Sequence, residues 1–274
     1  MTRCALGIYE KSMPDGLDWR RMLTQAQLAG FDFLEISIDE SARRLSRLDW
    51  DKEERTRLLT LTREVGLDIR TMCLSGHRKY PLGSPVPEIE RRGIEIMDCA
   101  LELAYDLGIR LIQLAGYDVY YDAVSDADTR KRFAENIQIS AEKAARLGIL
   151  LGFETMETDF MNTVQKAMEY VSLVDSPYLQ VYPDVGNLTN ATADVAGDIR
   201  IGRGHIAAAH LKETKEGVFR DLFYGEGRVD FAALIPALME QGVRLFTAEF
   251  WYDGQPAWED RLCKASAFLR PFLQ

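Results

Sequence analysis

The stretch LGILLGFE (147–154) closes a helical pattern on a glycine, enters an apolar run at once, and stops on a carboxylate. Four other stretches share its opening: AGFDFLEI (29–36), VGLDIRTM (65–72), LGIRLIQL (107–114) and QGVRLFTA (241–248). Each puts Gly where a helix ends, with the next strand starting within a residue or two. Working outward, β-rich runs fall at 4–9, 33–37, 68–74, 110–115, 149–155, 179–183, 206–211 and 245–251. Between them, helical spacing of apolar residues marks 19–29, 53–65, 88–107, 128–147, 163–174, 231–241 and 258–269. Short strands alternating with longer amphipathic segments are the pattern of parallel strands joined by crossover helices. Eight such units predict an α/β fold, a (β/α)8 TIM barrel forming one domain over residues 1–274. An open doubly wound sheet is the rival, but no G-x-G-x-x-G follows the first strand, and the repeat keeps its character throughout. No linker, low-complexity segment or charge block marks a second domain.

Composition narrows the function. The formal charge is −10, with 43 acidic against 33 basic residues, so no broad electropositive surface is expected for nucleic acid. The opening MTRCALGIYEKS has no apolar signal core, and no run of about 18 apolar residues occurs, so a soluble cytoplasmic protein without a membrane partner is expected. Cys4, Cys73, Cys99 and Cys263 are far apart, which argues against a disulfide framework or a thiolate zinc site and predicts reduced core residues.

A barrel carries its reactive groups at the C-terminal ends of the strands. The fifth strand ends on Glu154, the sixth runs into Asp184 in VYPDVGN, the seventh reaches His210 in AAAHLKE and the eighth reaches Glu249 in FTAEFWY. A single acid near a strand end is more often a helix cap or a solvated charge, and a lone histidine more often a satisfied core group. Four on consecutive strands, at intervals of 30, 26 and 39 residues, are much less easily chance. Three carboxylates and an imidazole suit one divalent cation, Mn²⁺, Zn²⁺, Co²⁺ or Mg²⁺.

At these residues the chain resembles a known family. The order Glu, Asp in PDVGN, His in HLKET and Glu in AEFW is similar to the xylose-isomerase-like barrel superfamily. GFDFLEISIDES (30–41), LSGHRKYPLGS (74–84), PDVGNL (183–188), HLKET (210–214) and GEGRVDF (225–231) resemble the L-ribulose-5-phosphate/L-xylulose-5-phosphate 3-epimerase family, members of which have been labelled hexulose-6-phosphate isomerases. The resemblance spans nearly the whole chain. It implies epimerisation at C3 of a ketopentose 5-phosphate, L-xylulose 5-phosphate to L-ribulose 5-phosphate, in carbohydrate metabolism, and a homodimer. Aromatics at Trp50, Tyr105, Tyr120 and Tyr121 are candidates for the dimer face.

The chemistry fits these residues. Inverting a carbon beside a ketose carbonyl requires removal of its proton, an enediolate, and a proton returned to the other face. A cation on the C2 and C3 oxygens stabilises the developing charge. Glu154 and Glu249, on the outermost of the four strands, are placed to serve as base and acid, with Asp184 and His210 as ligands only. The resemblance likewise implies that both glutamates are at once ligands and acid/base groups.

Other candidates have two readings each. His77, with Arg78 and Lys79, could contact the substrate or form a surface basic cluster. Glu35 could fix a sugar hydroxyl, brace a ligand or make an ion pair behind one. Asn187 could hydrogen-bond the substrate or shape the turn at Gly186. Glu157 could accept a hydrogen bond beside Glu154 or be a solvated loop charge. Gly225 and Gly227, in GEG, offer backbone N–H groups where barrels often bind phosphate, with charge from Lys212, Lys215 and Arg220, or form a plain turn.

Alternatives remain. A hexulose-phosphate isomerase or a free-ketose 3-epimerase shares the enediolate. An endonuclease-IV-like hydrolase needs many histidines, and this chain has three. An inosose dehydratase or a non-catalytic sugar-binding barrel would bind sugar without proton exchange at C3.

Overall fold

In the computed structural model, which describes residues 4–120 and 123–274, eight parallel strands alternate with helices. The strands are β1 (Ala5–Tyr9), β2 (Phe33–Ile38), β3 (Asp68–Leu74), β4 (Leu111–Ala115), β5 (Leu150–Glu154), β6 (Leu179–Tyr182), β7 (Ala209–Leu211) and β8 (Leu245–Ala248). They form one sheet ordered β6-β5-β4-β3-β2-β1-β8-β7. Single bridges at Val181–Ile206 and Asp184–His210 bring β6 and β7 together, so the sheet is a nearly closed TIM barrel, as the repeat predicted.

The helices are α1 (Trp19–Leu28), α2 (Ala42–Leu45), α3 (Lys52–Val65), α4 (Pro87–Asp106), α5 (Ala127–Leu147), α6 (Val164–Val174), α7 (Val185–Ala191), α8 (Val195–Ile201), α9 (Phe231–Glu240) and α10 (Trp258–Leu269). Their ends are chemically marked. Asp51 caps α3 in a reciprocal box with Glu54, and Asp126 caps α5 in the same way with Thr129. At the other end of α5, Gly148 takes the left-handed conformation, φ 66°, that turns the chain into β5.

The alternation of side chains along each strand divides the molecule into two interiors. Leu34, Ile36, Met72, Leu74, Ile112, Leu114, Leu151, Phe153, Val181, Leu211, Phe246 and Ala248 join the helices in one large apolar cluster. The opposite parity carries Glu35, Thr71, Gln113, Glu154, Tyr182, His210 and Thr247, all buried and polar, so the barrel's own interior is hydrogen-bonded rather than oily.

Several boundaries differ from the sequence reading. The seventh strand is only Ala209–Leu211, because 206–208 make an isolated bridge and no ladder, and the eighth stops at Ala248, one residue before Glu249. Helices α7 and α8 lie between β6 and β7, where no helix was expected: each has only 7 residues, too few to show a period. The cysteines are all free, but they are not all core residues. Cys4 and Cys73 are buried, Cys99 is half-buried, and Cys263 is exposed on α10. Trp50 packs edge-on against Trp19, with ring centroids 6.0 Å apart, while Tyr105 stands 51% exposed. Tyr121 lies outside the described residues. No helix among the described residues is long and apolar enough to cross a membrane.

Candidate metal centre and active site

Four consecutive strand ends deliver their side chains to one point. Glu154 is the last residue of β5, Asp184 follows β6 and caps α7, His210 is central in β7, and Glu249 follows β8. One donor atom from each of the four lies within 4.8 Å of every other, and all four residues are buried. Register explains the convergence: Glu154 pairs with Tyr182 across β5 and β6, Asp184 bridges His210, and His210 pairs with Thr247 across β7 and β8.

The imidazole of His210 organises the group. Its Nδ1 lies 3.3 Å from Glu154 Oε1 and 3.3 Å from Glu249 Oε2, while its Nε2 lies 2.6 Å from Glu35 Oε1. The other oxygen of Glu35 accepts hydrogen bonds from Thr71 Oγ1 at 2.7 Å and Tyr182 OH at 2.9 Å. Glu35 is therefore fully enclosed behind the histidine. Of the sequence readings for Glu35, the geometry fits the brace behind His210.

The electrostatics are those of a concentrated anionic pocket. Burial pushes the Asp184 carboxyl well above the usual carboxylate range, Glu249 and Glu154 push the same way, and Lys212 opposes them. For Glu249, burial also acts upward, but Lys212 and His210 outweigh it and hold the group well below that range. Burial would lower His210, yet Glu35, Glu249 and Tyr182 raise it well above its ordinary value. Lys212 Nζ stands 3.4 Å from Asp184 Oδ1 and 3.6 Å from Glu249 Oε2. Asp184 Oδ2 and Glu249 Oε2 are buried without a hydrogen-bond partner among the described residues, although a buried acceptor left unpaired is costly. Oxygens of this kind beside one imidazole fit a divalent cation.

The remaining candidates separate. Lys212, expected to lend charge to a phosphate, instead sits inside the carboxylate group. Asn187 donates its backbone N–H to Asp184 Oδ1 at 2.5 Å and its amide to Thr155 O at 2.7 Å, so it orients Asp184 and shapes the start of α7, although its Oδ1 has no hydrogen-bond partner among the described residues. Glu157 accepts from Tyr117 OH at 2.6 Å and Tyr120 OH at 3.1 Å. Burial acts to raise it, but the Tyr117 bond, its own backbone, Arg78 and Arg220 leave it lowered, so it is an ionised acceptor beside the mouth.

His77 is buried, with Nε2 3.1 Å from Gly93 O, and burial drives it down to about 4, so it is not part of a surface basic cluster. For GEG, read as a phosphate site or a plain turn, the geometry fits the turn. Glu213 already fills that loop, accepting from Thr214 N at 3.0 Å, Gly225 N at 3.0 Å and Val229 N at 3.1 Å. Gly227 packs so closely on Thr214 O and the Glu213 carboxyl that a side chain would collide with both.

Two residues escaped the sequence reading. Gln113 of β4 donates its amide to Glu154 Oε2, and Glu213 organises the loop after β7. A polar residue at inward parity within LIQLA was a usable signal for Gln113. Nothing local distinguished Glu213 from a solvated charge.

A barrel with a carboxylate–histidine group of this kind is of the xylose isomerase-like class, and that family, described as a xylose isomerase-like TIM barrel, matches residues 23–272. Over 237 residues, 86% of this chain and 83% of the relative, the chain is 46% identical to L-ribulose-5-phosphate 3-epimerase UlaE of Salmonella heidelberg (strain SL476). It is 45% identical, with the same coverage, to the UlaE of Escherichia coli O8 (strain IAI1). The chain belongs to the L-ribulose-5-phosphate 3-epimerase family, within the xylose isomerase-like TIM barrels. The D-psicose 3-epimerase of Clostridium cellulolyticum H10, solved with D-tagatose, shares the fold at TM-score 0.84 and 18% identity, covering 98% of this chain and 99% of that one. A structure of L-ribulose 3-epimerase does so at TM-score 0.77 and 21% identity, covering 98% and 93%.

Proposed function

We propose that the chain is a metal-dependent 3-epimerase of a ketopentose 5-phosphate, interconverting L-xylulose 5-phosphate and L-ribulose 5-phosphate. The observation that carries the reading is the placement of Glu154 and Glu249, each 3.3 Å from Nδ1 of the same imidazole, on strands β5 and β8 at the two ends of the four-strand group. Kinship to the UlaE enzymes supplies the substrate class.

Glu154, Asp184, His210 and Glu249 would hold one divalent cation, of the Mn²⁺, Zn²⁺, Co²⁺ or Mg²⁺ kind, which supplies stabilisation of the negative charge developing on the sugar's C2 and C3 oxygens. One glutamate takes the C3 proton from one face of the sugar, leaving an enediolate, and the other returns a proton to the opposite face. For the reverse epimer the two exchange roles. Gln113 fixes the Glu154 carboxylate, and Glu35 fixes the imidazole. Residues 1–274 act in this reading as one catalytic domain, working in the cytoplasm as a homodimer.

The test is proton NMR of the metal-loaded protein with L-xylulose 5-phosphate or L-ribulose 5-phosphate in D₂O. Deuterium entering at C3 as the two sugars interconvert, and lost in Glu154→Gln and Glu249→Gln, is the expected result. Exchange confined to C1 would make the protein an aldose–ketose isomerase instead, and no carbon-bound exchange would sink the reading.

A further inference from the structure

Lys212 takes no part in the proton transfers, yet it is buried among the groups that carry them. It follows β7 directly, and alternation along that strand turns His210 inward, Leu211 outward and Lys212 inward again, one step nearer the mouth. Its Nζ stands 3.4 Å from Asp184 Oδ1 and 3.6 Å from Glu249 Oε2, so a single ammonium spans two of the four candidate ligands, those on either side of His210. The segment that carries it is fixed. Its backbone oxygen packs so closely on Gly186, at the start of α7, that a side chain at Gly186 would collide with it. Leu211 O, just before it, accepts the Glu249 N–H at 3.0 Å and the Tyr224 hydroxyl at 2.6 Å. The Lys212 Nζ itself lies 5.8 Å from the centre of the Trp251 ring, a contact that favours a cation.

The two carboxylate contacts are ion pairs rather than short hydrogen bonds, since both exceed the roughly 2.7–2.9 Å of a charge-assisted bond. Lys212 therefore brings positive charge to Asp184 and Glu249 while Asp184 Oδ2 and Glu249 Oε2 keep no hydrogen-bond partner among the described residues. The lone pairs that a divalent cation needs stay free, but part of the charge it would bring is already in place. A cation on the same oxygens meets the ammonium well inside the screening length of about 10 Å, and like charges that close, out of solvent, repel strongly.

We infer that Lys212 is a built-in competitor of the divalent cation: its ammonium holds Asp184 and Glu249 together when the cation is away, and weakens the cation's hold when it is bound, which keeps the metal exchangeable. This rests on the reading of Glu154, Asp184, His210 and Glu249 as metal ligands and is independent of which sugar is turned over. A brace that merely shapes the ligand group would act with the opposite sign. Losing a brace weakens metal binding; losing a competitor strengthens it.

The experiment is titration calorimetry of Mn²⁺ into the EDTA-stripped wild type, Lys212→Met, Lys212→Gln and Lys212→Arg, beside scanning calorimetry of each with and without Mn²⁺. The expected result is a Kd for Mn²⁺ roughly 10- to 100-fold tighter in Lys212→Met and Lys212→Gln, with Lys212→Arg, which keeps the charge, within about threefold of the wild type. The metal-free melting temperature of both neutral variants should fall, and its rise on adding Mn²⁺ should grow. Glutamine keeps a polar group in place, so the test stands if the methionine variant folds poorly. Mn²⁺ binding that is unchanged or weaker in the neutral variants overturns the inference and leaves the metal site standing. A wild type that binds no Mn²⁺ in this titration overturns both.

Discussion

Nε2 of His210 lies 2.6 Å from Oε1 of Glu35, and this contact decides which face of the imidazole is available for chemistry. With Nε2 committed to Glu35, Nδ1 is the nitrogen facing Glu154 and Glu249. A carboxylate behind a ligating histidine fixes the ring's tautomer and orientation and raises its basicity.

Replacing Glu35 by Gln should therefore lower divalent-metal affinity by roughly 10- to 100-fold while leaving the fold intact, because the amide still occupies the same space between Thr71, Tyr182 and His210. Titration calorimetry of the metal, beside circular dichroism of the apoprotein, separates that loss from unfolding. Glu35→Ala should cost more in stability, since it leaves the Thr71 hydroxyl without its acceptor and removes one of the two partners of Tyr182 OH.

Chelation should destabilise the protein. Without a cation, His210 and Lys212 are the basic side chains within 4 Å of the three buried carboxylates among the described residues, and Asp184 is already driven toward its neutral form by burial. Metal at about a hundred times its Kd contributes roughly 2.7 kcal/mol. For a chain of this size that is a rise of about 5–10 °C in Tm, read by scanning calorimetry with and without EDTA.

His77 predicts an acid limit unconnected to catalysis. Its folded value, about 4, lies below the ordinary 6.5, so the unfolded chain binds the proton first. The stability it contributes is full above pH 6.5 and is lost as pH falls toward 4, amounting to about 2–3 kcal/mol at pH 4.5. Urea unfolding at pH 7.5 and 4.5 should show this drop in the wild type and a smaller one in His77→Gln.

Gly227→Ala should destabilise the loop after β7, because a methyl group there meets Thr214 O and the Glu213 carboxyl. A cost of about 1–3 kcal/mol, typical of overpacking, is expected in denaturant melts. If that loop were an open phosphate cradle, alanine would be tolerated in stability and the loss would appear in KM for the sugar phosphate instead.

The barrel was legible because its signals are local. Each unit carries its own glycine after a helix and its own apolar run, so LGILLGFE (147–154) and its four companions could be read one at a time. The shortest elements, α7 and α8, were not legible, since one or two turns show no period. Glu154, Asp184, His210 and Glu249 were legible for a related reason: a strand end in a parallel barrel has one destination, so four chemically matched ends imply one meeting point.

What the sequence by itself determined was the repeat, and through it the fold and the four residues that converge. What only the tertiary structure decided was the partner of each remaining polar group: Glu35 behind His210, Lys212 among the carboxylates, Glu213 inside the GEG loop and His77 against Gly93. The Glu35–His210 contact joins residues 175 apart in the chain and the Tyr182–Glu35 bond residues 147 apart. Inter-strand register and side-chain direction set such pairings, so whether a charge is solvated, braced or left open to substrate is a property of the closed barrel and not of any local stretch.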